Sequence, residues 1–271
     1  MATTEDVCVD SKLIDYVNNR MTRRSFARGA LLGAAGIAGA SVFSSINLSA
    51  ATITDADVLN FALNLEYLEA EFYTVITTGK TLSQIGIGTS GVGTEGATVG
   101  GGKVALSQPV MALALELAND EQAHVKLLRG ALGSAAIAKP TIDFSVAGVF
   151  DELSYLKVSR ILEDVGVTAY GGAAPLISDK GTLGVAARIL ATEAEHVGAV
   201  RYSISQYTNL RPTAIDGNDI VTRIISADPA SGLTAIRTPS QVLSLVFLNA
   251  TAGTTRGGVF PNGVNGAINA V

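Results

Sequence analysis

The stretch ANDEQAHVKLLRG, residues 118–130, holds one of only two histidines in 271 residues, and that histidine, His124, lies three residues after Glu121. The second lies in ATEAEHVGAVRYS, residues 191–203, where His196 follows Glu193 by the same interval. The match runs on to Val125 and Arg129 in the first stretch and to Val197 and Arg201 in the second. An α-helix turns about 100° per residue, so positions i and i+3 share a face. Glu121 and His124 therefore project together beside Leu117 and Leu128, and Glu193 and His196 beside Ile189 and Val200. Those neighbours are core-type residues. Both pairs thus point inward, where an unpaired charge is expensive.

Working outward, each pair is preceded by a helix carrying a second echo. NLEYLEAEFY (64–73) has Glu66 and, seven residues on, Tyr73; RILEDVGVTAY (160–170) has Glu163 and, seven on, Tyr170. The chain is a doubled unit: a helix with Glu-x6-Tyr, then a helix with Glu-x-x-His. Helical apolar spacing and caps place the four helices. The first spans 55–77 behind Thr54 and Asp55; the second starts at Ser107 with Pro109 in its first turn and stops at Gly130. The third spans 149–177, and the fourth spans 183–207 behind Thr182. The Gly-rich segment 79–106 reads as loop, and TPSQVLSLVFLNA (238–250) as a short apolar helix opened by Thr238 and Pro239. The expectation is an all-α antiparallel four-helix bundle over 52–208, with a C-terminal helix and coil appendage, 209–271, packed on it.

Arm lengths test whether the echoes meet. From the SDKG turn, Glu163 and Glu193 stand roughly 24 and 20 Å along their helices; the corresponding arms for Glu66 and Glu121 are roughly 18 and 21 Å. All six acidic and imidazole side chains can meet in one layer. Four carboxylates in a dry layer repel one another, and two divalent cations relieve that repulsion. One Glu from each of two helices plus Glu-x-x-His from each of the other two is the di-iron or dimanganese carboxylate ligand set.

Composition narrows the alternatives. With one cysteine, Cys8, the chain has no disulfide framework, zinc-thiolate site or iron–sulfur cluster, so any metal is held by oxygen and imidazole. A net charge of −5 and the lack of a Lys/Arg-rich run argue against nucleic acid. GIGTSG and GVGTEG fit G-x-G-x-x-G, but they follow a helix with no preceding strand, which argues against a nucleotide role. No G-x-S-x-G and no spare histidine remain for serine-hydrolase chemistry. Glu71 and Glu195 fall on the opposite helix face and read as solvated.

The first 51 residues read as a leader. Arg23 and Arg24 precede an Ala/Gly-rich apolar run and then small residues, the layout of an export signal. TRRSFAR resembles the twin-arginine signal, with Ala27 where leucine is common. The expectation is an exported protein, in periplasm, envelope or extracellular space, touching membrane only through an uncleaved leader.

The sequence resembles the ferritin-like superfamily, and within it the exported ferritin-like family that includes the desiccation-related proteins. NLEYLEAEFY is similar to the first ferritin helix. Asp120-Glu121-x-x-His124 is similar to the Asp-Glu-x-x-His of di-iron oxygenases and reductases, and TPSQVL and FPNGVNG look like the C-terminal part of the narrower family. The resemblance implies metal ligands at Glu66, Glu121, His124, Glu163, Glu193 and His196, holding two Fe or two Mn ions. Asp120 is then the group that hydrogen-bonds a ligand histidine. Rubrerythrin-like sites carry an extra glutamate, which Glu69 resembles as a seventh ligand or as a replacement for Glu66; symmetry favours Glu66. Tyr73 and Tyr170 are core tyrosines beside the centre, with a redox or proton role as the sharper alternative. The implied chemistry is peroxidase, ferroxidase or manganese-catalase activity on peroxide, dioxygen or metal ions in oxidative-stress protection. The alternative is a non-enzymatic desiccation-stress scaffold. A homo-oligomer is left open, although the appendage argues against a cage.

Overall fold

The computed structural model describes residues 53–210 and 212–271; the leader expected over 1–51 lies outside the described residues. Residues from Ile53 onward form one compact unit. Its main helices are α1 (Asp55–Thr78), α2 (Gln108–Leu132), α3 (Glu152–Ala173), α4 (Lys180–Ser205) and the short α5 (Pro239–Val246). No helix of the described residues is long and apolar enough to cross a membrane.

Side-chain to backbone bonds reveal the helix directions. Asn60, near the start of α1, bonds Ala135 and Ile137 just beyond the end of α2, while Ile76 near its other end accepts from Val104. Tyr73 meets Ser159 and Tyr170 meets Glu66, so α1 and α3 also run antiparallel. Asp164 meets Arg201, and Glu152 meets Tyr207, so α3 and α4 do too. The order is up, down, down, up, and segment 133–151 must run the length of the bundle to connect the halves. That crossover pairs with the Gly-rich loop: β1 (Thr98–Val99) lies parallel to β2 (Ile142–Asp143).

The fit of loop to crossover explains the glycine motifs. A Cβ on Gly91 would stand 2.3 Å from the Ala136 carbonyl oxygen, and one on Gly96 would stand 2.1 Å from the Thr141 nitrogen. These glycines permit backbone to meet backbone.

Several local expectations need correction. The fourth helix starts at Lys180, because Asp179 caps it and takes Thr182 N at 2.7 Å; Thr182 is not the cap. The second helix passes Gly130 and ends at Leu132, where Gly133 has φ +56°. The third is shorter than 149–177, since an Asp151–Ser154 capping box sets its start. Glu71 is fully buried, contrary to the solvated reading; the Gly-rich loop folds over that face and donates Leu82 N at 2.8 Å and the Thr98 hydroxyl to its carboxylate. Glu195 is exposed, as its helix face implies.

The C-terminal segment 209–271 is stitched to the bundle by buried polar groups. Arg237, 1% exposed, donates to Thr168 Oγ1 at 2.7 Å and to both oxygens of Asp216. Asp219 receives Arg160 at 2.8 Å and Arg201 at 3.3 Å, and within the bundle Arg201 also forks onto Asp164 at 2.9 and 2.7 Å. Buried charges persist only when paired in this way.

Candidate metal centre

The six residues singled out by the doubled pattern converge. Ligand-capable atoms of Glu66, Glu121, His124 and Glu193 all lie within 4.8 Å of one another, and so do those of Glu121, Glu163, Glu193 and His196. Glu121 and Glu193 belong to both groups. Each group thus takes one Glu from α1 or α3 and one His from α2 or α4, with the two motif glutamates common to both groups. The imidazole centroids stand 6.2 Å apart.

Helix geometry produces this convergence. Glu66 faces inward from the middle of α1, where nearly every residue from Phe61 to Thr77 is buried because the bundle, loop and crossover enclose the helix. Along α2 and α4 burial falls on one stripe, which includes Glu121, His124 and Val125, and Glu193, His196 and Val197.

The contacts within the layer are poorly satisfied by protein alone. His124 Nδ1 faces Glu66 at 3.1 Å and both Glu121 and Glu193 at 3.4 Å. His196 Nδ1 faces Glu121 at 3.0 Å and Glu163 at 3.2 Å. One ring nitrogen carries at most one proton, so it cannot serve two or three carboxylates at once. All four carboxylate oxygens of Glu121 and Glu193 are buried without a hydrogen bond of good geometry. Orphaned buried anionic oxygens are rare in proteins and costly. A cation among oxygen and imidazole donors satisfies them together, so the residues fit bound metal.

Protonation tells the same story for the cation-free layer. Burial works against a charged imidazole, yet Glu121 and Glu163 outweigh it and push His196 up to about 12. His124 is pushed up likewise, by Glu121, Glu193 and Glu66. Burial and then the Glu66 charge raise Glu121 to about 7. Burial, followed by the charge of neighbouring carboxylates, raises Glu69 and Glu193 well above the usual range. Burial works against a charged Glu66, yet it moves down, because the bond and charge of His124, followed by bonds from Glu121 and Tyr170, outweigh burial. Protons fill the role that cations would take.

The groups around this layer follow the doubled pattern across helices. The Tyr73 hydroxyl donates to Glu163 and lies 2.7 Å from Ser159 Oγ, while the Tyr170 hydroxyl donates to Glu66. Each tyrosine thus holds the glutamate of the opposite helix. Arg129 reaches Tyr67, next after Glu66, and Arg201 reaches Asp164, next after Glu163. Asp120 Oδ2 lies 3.3 Å from His196 Nε2, so it steadies the histidine of the other motif and not His124 of its own. Thr192 stands at the equivalent place in the second motif, so the symmetry breaks there.

Glu69 is buried beside the layer but belongs to neither four-residue group. Gly166, at the matching position of α3, makes its room: a Cβ there would stand 3.1 Å from Glu69 Oε1 and 2.5 Å from Glu193 Oε2. Sequence reasoning missed the roles of Ser159 and Gly166. Ser159 lies one turn before Glu163 on the same face, the only signal it offers.

The comparisons agree with this geometry. A curated relative, "Desiccation-related protein PCC13-62" from Craterostigma plantagineum, is 26% identical over 167 residues, covering 55% of this chain and 52% of the relative, so the chain spans about half that relative's length. The model of a family described as "Ferritin-like domain" matches residues 54–206, from the cap of α1 to the end of α4. With all four helices and both Glu/His motifs inside that match, the chain belongs to the ferritin-like domain family.

Proposed function

We propose that the protein is an exported dinuclear carboxylate protein that holds two Fe or two Mn ions and performs redox chemistry on peroxide, dioxygen or Fe(II) in stress protection. The observation that carries the reading is the pair of shared, fully buried glutamates, Glu121 and Glu193, whose oxygens find no hydrogen bond. Glu66 with His124 and Glu163 with His196 would complete the two positions. Oxygen and imidazole donors suit iron and manganese alike. When bound, such a pair supplies electron transfer and Lewis acidity to a small oxidant.

The chain's own residues perform the rest. Tyr73 and Tyr170 fix the carboxylates of Glu163 and Glu66, Asp120 fixes the His196 ring, and Glu69 offers a spare carboxyl at the edge. The surrounding core excludes bulk water, which strengthens every electrostatic interaction in the layer. The export part of the reading rests on Arg23, Arg24 and the apolar run after them.

A second reading, in which the ions act only as structural rivets of a stress protein, draws on the printed name of the relative. Elemental analysis and turnover assays on protein from its native host separate the two. Two Fe or Mn per chain with consumption of hydrogen peroxide or Fe(II) supports the first reading; bound metal without turnover supports the second. Metal-free protein from a replete host contradicts both.

A further inference from the structure

A cavity of about 210 Å³ lies beside the carboxylate layer and reaches it at Glu69 and Gly166. Its walls come from α1, α3, the crossover, α5 and the C-terminal coil, and include Leu68, Ile161, Val165, Ala147, Leu245 and Val259. Glu69 is the one polar side chain in the lining, and it stands beside Gly166 at the end nearest Glu193. A smaller apolar void of about 150 Å³ stays dry and takes up benzene in another protein. This one has room for a larger apolar guest.

The cavity mouth is built with strain. Leu248, in the lining and 59% exposed, has φ +61°, as does Asn249 after it. Asn tolerates that region, but a leucine rarely adopts it. Gly258 packs closely beside Leu248: a Cβ on Gly258 would stand 2.8 Å from Leu248 Cγ and 2.4 Å from the Val246 carbonyl oxygen. Val146, 45% exposed, lines the cavity from the crossover.

We propose that this cavity binds a neutral, largely apolar small molecule, the size of a medium alkyl chain or a single substituted ring, with its polar end against Glu69. No Lys or Arg lines the space to pair an anion, so a carboxylate guest would give up its hydration without a partner. As an assignment of substrate class the proposal rests on the dinuclear reading above; as a binding site it stands on the cavity alone.

The test is calorimetric titration of the full chain with 1-octanol and with octanoate. Octanol is expected to bind at least tenfold more tightly than octanoate. Ala147→Phe, which fills the space from the crossover, should weaken octanol at least tenfold without changing metal content. Ile161→Phe fills it from α3 and serves if the first variant fails to fold. No octanol binding by the wild type, equal binding of octanoate, or wild-type binding by the folded filled variants overturns the proposal. Metal content of the same samples reports separately on the centre: octanol binding by wild-type chains that take up no metal keeps the cavity and removes the dinuclear reading.

Discussion

Replacing Gly166 by alanine separates the fold from the site. The new Cβ would stand 2.5 Å from Glu193 Oε2, where ordinary contact starts at 3.4 Å. The atom in the way is the end of a flexible side chain, so the helix does not have to move. The Glu193 carboxylate must instead retreat by about 0.9 Å to reach normal contact. Metal–ligand distances tolerate only about 0.2 Å. The fold should not suffer, because alanine is favoured over glycine inside a helix by about 0.5–1 kcal/mol. Gly166→Ala is therefore expected to melt at or slightly above the wild-type temperature when metal-free, and to bind Mn(II) about 10- to 100-fold more weakly, the range for displaced supporting geometry. Calorimetric Mn(II) titration beside thermal melts reads both quantities. A folded variant with wild-type Mn(II) affinity would refute the reasoning that Glu193 is a shared ligand seated against Gly166.

Three further outcomes are expected. A carboxyl whose pKa is raised in the fold, as burial and Glu121 raise that of Glu193, costs stability increasingly as pH climbs above its unfolded value. Glu193→Gln should therefore raise the metal-free melting temperature at pH 8 by a few degrees, about 1–2 kcal/mol, while abolishing metal uptake. Tyr73→Phe removes the donor to Glu163 and should lower metal affinity about tenfold, checked by the same titration. The Arg237 fork holds Asp216 below its usual 3.8, so its contribution is present above that value and is lost as pH falls through the lower folded value. Asp216→Asn should flatten that acid limb, read from thermal melts between pH 2 and 5 about the wild-type transition.

The helices and the inward layer were legible because both obey local rules. A period of 3.6 put Glu121 with His124 and Glu193 with His196 on the apolar faces, and only two histidines left little room for another reading. What joins one helix to another was not legible. Asp120 serves His196 and Tyr73 serves Glu163 because of helix order, which the spacing along one helix does not carry. Asp179 and Thr182 are both good caps three residues apart, and only the tertiary contact of Asp55 with the Ser178 and Asp179 amides accompanies the earlier start. Glu71 misled because its helix position faces away from the centre, and the loop that covers it looks like solvent-exposed coil in sequence. The cavity was invisible for a related reason: Val146, Ala147, Leu248 and Val259, which close it, lie in segments with no periodicity to read.

Under the proposed function, two cations sit between the shared carboxylates of Glu121 and Glu193. Anomalous diffraction from crystals loaded with Mn(II), collected at the manganese edge, tests it most directly. Two peaks per chain are predicted, one beside Glu66 and His124 and one beside Glu163 and His196, with Glu121 and Glu193 touching both. Peaks only at the protein surface, or none within the carboxylate layer, would contradict it.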